Sequence, residues 1–316
     1  MSETRPSVAV VVVTYNSADV VDDCLRSISL GMAGVGLAEV VVVDNDSTDE
    51  TVRIVKGFTA LPVTLVQTGR NGGYAAGINA GIATLDGVYC DAVLVLNPDC
   101  RLRRDSVRVL ADALSRPRCA IAVPKLINPD GSLQPTLRRA PTVHGAIIEA
   151  LIGGIRAGRA SSRGELVTDA SLHDMAGEAV WATGAAMLIS AAAAQALGPW
   201  DESFFLYSEE TEYMLRARDH GWHVWYTPDA VVEHIGGEGG IDPALSALIT
   251  VNKVRLFRRR RGTLPSCAYY AVTLLGQAAR AAAGRPTARA SLAALLWKSR
   301  RLRLPGQAHN GPGGPP

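Results

Sequence analysis

The sequence predicts an α/β fold: a mostly parallel sheet flanked by helices on both faces, with a basic helical appendage at the C-terminus. Three observations predict it. Short unbroken runs of β-branched residues recur between Val8 and Val123. They alternate with segments of helical periodicity, as parallel βαβ units require. Charge is also segregated along the chain. From Lys253 to the end there are 13 Lys and Arg and no Asp or Glu, whereas the 19 basic residues upstream face all 30 acidic ones. That split describes an acidic body with a basic tail.

The elements follow in order. Val8–Val13 is apolar throughout, as a strand buried on both faces must be. Ser17 is placed to cap a helix over about 18–30, with Val20, Val21, Cys24, Leu25 and Ile28 on one face. Glu39–Val43 is the second strand; the polar turn from Asp44 to Asp49 follows, and Thr51 opens a second helix. Val63–Gln67 is the third strand. Asn71-Gly72-Gly73 turns into a small-residue helix over about 74–85. Ala92–Leu96 is the fourth strand, followed by a helix over about 104–115 and a strand at Ala120–Val123. Asn128-Pro129-Asp130-Gly131 reads as a tight turn. Residues 153–172, rich in Gly, Ala, Ser and Arg, read as a loop, and Val180–Ser190 as a strand interrupted by Gly184. A helix over about 207–220 ends at Gly221, and Trp222–Tyr226 is a further strand. Beyond Gly240 the pattern is helical and increasingly basic. The implied units are 1–245, a catalytic domain; 246–304, the basic helical region; and 305–316, a Gly/Pro-rich disordered tail.

A chain of 316 residues is ample for a full core, and 47% hydrophobic content excludes global disorder. The five cysteines show no CxxC and no zinc spacing, so they read as reduced, buried thiols of a cytoplasmic protein. Val8–Val13 is too short for a signal peptide core, and nothing upstream of residue 266 is long and apolar enough to span a membrane.

Three acidic stations carry the chemistry. Asp44 and the Asn97-Pro98-Asp99 turn sit at the carboxyl ends of strands, where open α/β sheets bind ligands. Asp99 could ligate a hard cation, Mg²⁺ or Mn²⁺, through oxygen. Pro98 stiffens the turn, and Asn97 offers a carbonyl or an amide donor. Asp44 could accept the N3–H of a pyrimidine base or simply close its turn. Glu209 and Glu210 open a helix; only one can face a cleft squarely, because neighbours on a helix point about 100° apart. A glutamate there could act as general base, or could only complement the helix dipole. His234, between Val231-Val232 and Gly236-Gly237, could be a metal ligand through neutral imidazole. The glycines of residues 71–82 lack the ending of a phosphate-binding Walker loop and the spacing of a dinucleotide fingerprint. They permit close approach, to a ligand or to a neighbouring element.

Taken together, VVVTYNS (11–17), VVVDNDSTDET (41–51), NGGYAAGINAGI (71–82), VLNPD (95–99), WATGAAMLI (181–189), WDESFFLYSEETEYMLRARDHGW (200–222) and VVEHIGG (231–237) resemble the family 2 glycosyltransferases of the GT-A fold. The rhamnosyltransferase branch is the nearest. The resemblance covers about Val8 to Gly240. It implies an inverting transfer from a nucleoside-diphosphate sugar, dTDP-rhamnose first and UDP-galactofuranose or another UDP-sugar second. The acceptor would be a glycan hydroxyl, lipid-linked or of the cell envelope. By this likeness Asp44 contacts the base, and Thr14, Tyr15 and Asn71 line the nucleotide pocket. Asn97 and Asp99 stand at the D-x-D position, His234 is a further metal ligand, and Gly184 and Ala185 border the sugar and acceptor. Glu210 aligns with the acidic base, with Glu209 beside it. There are departures: D-x-D is N-x-D here, which leaves fewer charges on the metal; E-D is Glu209-Glu210; and Ser208 stands where Phe is common.

The basic tail fits amphipathic helices on an anionic membrane surface, with clusters at Arg258–Arg261 and at Lys298, Arg300, Arg301 and Arg303. Packing of the helices on the body, or an oligomer contact, would use the same residues. Nucleic acid fits less well, because aromatic interleaving is sparse. The rival functions are a nucleotide-sugar binder without catalysis and a nucleotidyltransferase; the latter lacks its basic Gly-rich loop in TYNSADV.

Overall fold

The computed structural model describes residues 5–160, 164–236 and 242–297. The calls on Gly237, on Lys298, Arg300, Arg301 and Arg303, and on the 305–316 tail lie outside the described residues.

The elements run β1 (Ser7–Thr14), α1 (Val21–Gly31), β2 (Gly36–Asp44), α2 (Thr51–Gly57), β3 (Thr64–Gln67), α3 (Tyr74–Thr84), β4 (Ala92–Leu96), β5 (Cys100–Leu102), α4 (Ser106–Leu114), β6 (Cys119–Ile127), β7 (Leu133–Gln134), β8 (Leu137–Arg138), α5 (Val143–Ile152) and α6 (Gly154–Ala160). They continue as β9 (Gly177–Ala179), β10 (Trp181–Ala182), β11 (Ala186–Ser190), α7 (Ala191–Leu197), α8 (Glu209–Asp219), β12 (His223–His234), α9 (Pro243–Arg260), α10 (Thr263–Ala282) and α11 (Pro286–Leu296).

The main sheet has the order β3-β2-β1-β4-β11-β6-β12-β5. It is parallel except at β11, which lies antiparallel to β4 and β6, and at β5, antiparallel to β12. Strand residues alternate between two cores. Val8, Val10 and Val12 point to the α1 and α4 face, while Ala9, Val11 and Val13 point to the face of α3, α7 and α8. That two-sided burial explains the continuous valine runs. The glycines of α3 serve this packing: a Cβ at Gly77 would overlap the Val13 side chain, and one at Gly81 the Val11 side chain. The strand order reverses between β1 and β4, which opens a crevice at the carboxyl ends of both.

Several expectations shift. Helix α1 starts at Val21, and Ser17 does not cap it with its side chain; the Ser17 hydroxyl donates to Tyr15 O, while Ser17 O accepts from Val20 N and Val21 N. The run 180–190 is broken into β10 and β11 by the turn at Gly184, and 153–172 contains helix α6. Strand β5 was not foreseen: three residues carry no periodicity, and only the partner strand β12 makes them a strand. Glu233 stands opposite Arg101 across that edge, paired at 3.1 Å. Cys24, Cys100 and Cys119 are buried thiols, whereas Cys90 is half-buried and Cys267 exposed.

The three C-terminal helices form a small core of their own around Val254, Phe257, Tyr269 and Leu295. Phe257 and Tyr269 stack with ring centroids 4.1 Å apart. Helix α9 is also fastened to the α/β body. Arg260 pairs with Asp219 at 2.7 Å, Arg259 with Asp201, and Lys253 with Glu165 at 2.9 Å. Packing on the body therefore occupies much of the first basic cluster. Among the described residues no helix is long and apolar enough to cross a membrane.

Candidate active site

The crevice gathers the ends of β1, β2 and β4. Thr14 closes β1 fully buried, and its hydroxyl donates to Asp44 Oδ1 at 3.1 Å. Asp44 is 1% exposed and also accepts from Ser47 N at 2.9 Å and Ser47 Oγ at 2.5 Å. A carboxylate has about four lone-pair sites, so these three bonds leave Asp44 little accepting capacity. Asp44 stands where expected, but the turn uses most of it. Tyr15 lies half-buried at the mouth. Asn71 folds back on its own loop, with Oδ1 accepting from Gly73 N at 3.1 Å.

Beyond β4, the register of β12 against β5 sets His234 opposite Cys100, next to Asp99. Ligand atoms of Asp99, Cys100 and His234 lie within 4.8 Å of one another. Hydrogen-bond direction then assigns the imidazole. Gln134 Nε2 donates to Asn128 Oδ1 at 3.1 Å and to Gly236 O at 3.0 Å, so Gln134 Oε1 faces His234 Nδ1 at 2.7 Å. An amide oxygen only accepts, so Nδ1 carries the proton. In the neutral ring Nε2 is left with its lone pair, aimed at Asp99 Oδ1 3.4 Å away. That Oδ1 is buried and has no hydrogen-bond partner among the described residues. Two acceptors facing one another across that gap fit a divalent cation between them. Gly236 keeps the gap open, because a Cβ there would run into Asp99 Oδ2. Cys100 suits a hard cation poorly. Burial first, and then Asp99, push its thiol well above the usual range, and Sγ donates to Ala185 O.

The glutamate pair reaches the same crevice through one short segment. Asn97 N donates to Ala185 O at 2.8 Å. The preceding residue, Gly184, lies against Glu210; a Cβ on it would come within 2.8 Å of Glu210 Cβ. The Tyr74 hydroxyl contacts Gly184 O at 3.4 Å. Burial, and then the charges of Cys100, Glu209, Asp99 and Glu210, hold that hydroxyl well above its ordinary value. Gly184 and Ala185 thus link Glu210 to the Asn97 turn that carries Asp99, and both carboxylates act on the Tyr74 hydroxyl.

Glu209 is 2% exposed, and Glu210 is half-buried beside Gly184. Each has a buried Oε2 with no hydrogen-bond partner among the described residues. Burial raises both carboxyls, Glu209 further because Glu210 adds repulsion, while Arg138 draws Glu210 back down. Two adjacent buried carboxylates do not both ionise cheaply. Of the two, Glu209 is pushed further toward holding its proton.

The loop before this pair is strained. Phe205, Tyr207 and Ser208 have φ of 64°, 66° and 77°, each costing about 1–3 kcal/mol. Helix α9 holds the loop in place: Asn252, 2% exposed, directs Nδ2 at Phe204 O, Leu206 O and Tyr207 O at 2.8, 2.9 and 3.1 Å. On its other side, Tyr74 N donates to Phe205 O at 2.7 Å. Gly73, at φ 90°, leaves no Cβ to strike that carbonyl.

Comparison with known proteins places the chain in a family. Residues 9–164 match Glycosyl transferase family 2, and residues 92–298 match Glycosyl transferase family group 2. A Mycobacterium tuberculosis protein named N-acetylglucosaminyl-diphospho-decaprenol L-rhamnosyltransferase is 31% identical over 258 residues, 77% of this chain and 80% of that one.

The chain belongs to glycosyltransferase family 2.

The Low-salt glycan biosynthesis hexosyltransferase Agl10 of Haloferax volcanii is 28% identical over 211 residues, 66% of this chain and 61% of that one. Among solved structures, mannosyltransferase PcManGT from Pyrobaculum calidifontis, in complex with GDP-Man and Mn²⁺, shares the GT-A fold with a TM-score of 0.57 and 20% identity, over 95% of this chain and 83% of that one. Three site-forming residues of this glycosyltransferase escaped the reading of its sequence. Gln134 belongs to a two-residue strand with no motif. Tyr74 was counted with a glycine loop. Asn252 sits in the basic tail, where an uncharged polar residue between Val251 and Lys253 was the one available signal.

Replacing Asn252 with Ala removes the donor to three carbonyls and should destabilise the fold by about 1–3 kcal/mol. We expect a larger fall in kcat than in donor affinity, measured by chemical denaturation and steady-state kinetics; unchanged kcat would separate the loop from the glutamates. The Glu209 carboxyl, raised in the folded state, binds its proton more tightly folded than unfolded. Stability therefore falls as pH climbs past the ordinary carboxylate range. Glu209→Gln should raise the melting temperature at pH 8 and leave it unchanged near pH 4.

Proposed function

We propose that this glycosyltransferase moves a sugar from a nucleoside diphosphate to a hydroxyl of a lipid-linked or cell-envelope glycan, with inversion. The first choice of donor is dTDP-rhamnose, and UDP-galactofuranose or another UDP-sugar is the second. The name of the mycobacterial relative supports rhamnose and a diphospho-polyprenol acceptor. The observations that support the reading are the Asp99–His234 gap and the Gly184-Ala185 link between the Asn97 turn and Glu210.

In this reading Glu210 is the base. Its raised carboxyl lies nearer neutral pH than a free one, which suits proton transfer. It takes the proton of the acceptor hydroxyl as that oxygen bonds to the anomeric carbon. The bond from that carbon to the diphosphate breaks on the opposite face, and its electron pair leaves with the nucleotide. Asp99 and His234 would hold Mg²⁺ or Mn²⁺, which supplies Lewis acidity to the leaving diphosphate. Thr14, Tyr15, Asp44, Asn71 and Asn97 would surround the nucleotide, and Gly184 would let the sugar approach Glu210. Asp44 would reach the base through its remaining lone pair.

The catalytic unit is taken to residue 245, with 246–304 as a supporting region that also meets an anionic membrane on the inner face of the plasma membrane. Arg258, Arg261 and Arg285 are exposed, and so are Leu264, Leu275 and Trp297. Exposed basic and large apolar side chains of this kind are what an interfacial helix presents to a membrane.

Glu210→Gln should abolish transfer, while UDP or dTDP with Mn²⁺ still raises the melting temperature as in the wild type; full turnover by that variant would refute the base assignment. Exchanging Arg258 and Arg261 for Glu should weaken binding to phosphatidylglycerol vesicles by about 1 kcal/mol or more per residue. Sedimentation at two salt concentrations reads this out, and unchanged sedimentation would remove the membrane from the proposal.

A further inference from the structure

The wall that carries Glu210 continues into a second site. Strand β8 pairs antiparallel with β10, Arg138 opposite Trp181 and Leu137 opposite Ala182. Thr183 N extends the ladder to Thr136 O at 3.1 Å. The next residue is Gly184, against Glu210. Three residues therefore separate Arg138's partner from the base, about 10 Å at about 3.3 Å per residue.

At the far end of this ladder lies a cavity of about 300 Å³, lined by Leu137, Arg138, Val167, Leu172, Met175 and Tyr226 among others. Its walls are largely apolar. Leu172 and Met175 stand 38% and 56% exposed at its edge, large apolar side chains that the fold leaves uncovered. The Tyr226 hydroxyl is already spent on His173 O at 2.7 Å. Glu178 also lines the cavity, but Arg218 pairs with it at 3.0 Å.

Two arginines line the cavity; Arg139 gives its Nη1 to Gly164 O and Leu166 O, and the other is Arg138. Its guanidinium carbon lies 5.8 Å from the centre of the Trp181 ring. Nη1 donates to Pro135 O and Leu137 O at 3.1 and 3.3 Å. Among the described residues no carboxylate forms an ion pair with it, and Nε and Nη2 have no partner. A half-buried cation normally has an anion beside it. Glu165, Glu210 and Glu149 influence it only through space, and burial lowers its affinity for its proton.

We propose that Arg138 and the adjoining apolar cavity form the subsite for an acceptor whose sugar is joined through a phosphate or diphosphate to an apolar chain. The anion sits on Arg138, whose fork matches phosphate oxygens. The chain enters between Leu172 and Met175, and the sugar lies along β10 with its hydroxyl toward Glu210. This rests on the glycosyl-transfer reading for its orientation, but the subsite can be measured apart from that reading.

The test is isothermal titration calorimetry on the full chain in EDTA, so that no metal at Asp99 and His234 can capture a phosphate. The probes are geranyl diphosphate, inorganic pyrophosphate and geraniol. Geranyl diphosphate should bind at least tenfold more tightly than either fragment. Arg138→Gln should cost at least tenfold, and Arg138→Lys less. Met175→Glu, at an exposed position that leaves the fold intact, should also cost at least tenfold. Pyrophosphate binding as tightly as geranyl diphosphate, or Met175→Glu binding it like the wild type, overturns the proposal, and so does wild-type affinity in a folded Arg138→Gln. Melting-temperature shifts with UDP or dTDP and Mn²⁺ are recorded on the same proteins. Their absence in the wild type would sink the donor reading and leave the subsite result standing, whereas normal shifts without geranyl diphosphate binding would sink the subsite alone.

Discussion

Gly184 and Ala185 join the two halves of the chemistry. Ala185 O takes the Asn97 amide and the Cys100 thiol, which anchors the end of β4. Gly184 lets Glu210 lie directly against the backbone. A side chain at Gly184 would strike Glu210 and push α8 away from this segment. The break between β10 and β11, which looks like a flaw in a strand, is thus the feature that lets two distant acidic segments meet. It also starts the ladder that leads to Arg138.

Forces of opposite sign meet at this point. The glutamate pair is unfavourable in itself, since burial and mutual repulsion both resist ionisation. The loop that presents the pair is unfavourable too, with three side-chain-bearing residues in the left-handed region. Such costs persist only where surrounding structure over-determines them. Here Asn252 of α9 and Tyr74 of α3 grip the loop from two sides. The C-terminal helices are therefore joined to the loop before α8 as well as carrying basic charge, and the ion pairs of Arg259, Arg260 and Lys253 hold them there. On the metal side, Gln134 fixes the imidazole by a simple rule of donors and acceptors, and Gly236 leaves the space.

Much of this was legible in the residues. The valine runs announced strands buried on both sides, because each alternate side chain needed its own core. Asp44 and Asp99 were placed at strand ends by what preceded them. The motif order from Thr14 to His234 indicated the family. Other features were not legible. Strand β5 has three residues and exists only through β12. The fold-back of Ser47 onto Asp44 spends a carboxylate that looked free. Arg138 and Gln134 lie in two-residue strands that have no period to read. The first basic cluster gave a charge but not its partners, and Asp201 and Asp219 claim two of its arginines.

By itself the sequence determined the α/β alternation, the parallel character of most strands, the acidic stations and the family. These are encoded locally, in side-chain period and in the residues next to each strand end. The tertiary structure decided which lone pairs remain free, which of two adjacent glutamates lies against Gly184, and which polar residue props up which loop. Those outcomes depend on contacts between segments far apart in the chain, such as Gln134 with His234 and Asn97 with Ala185 by way of the sheet register. No local pattern records a register, because it is set by which strands find each other when the two cores close.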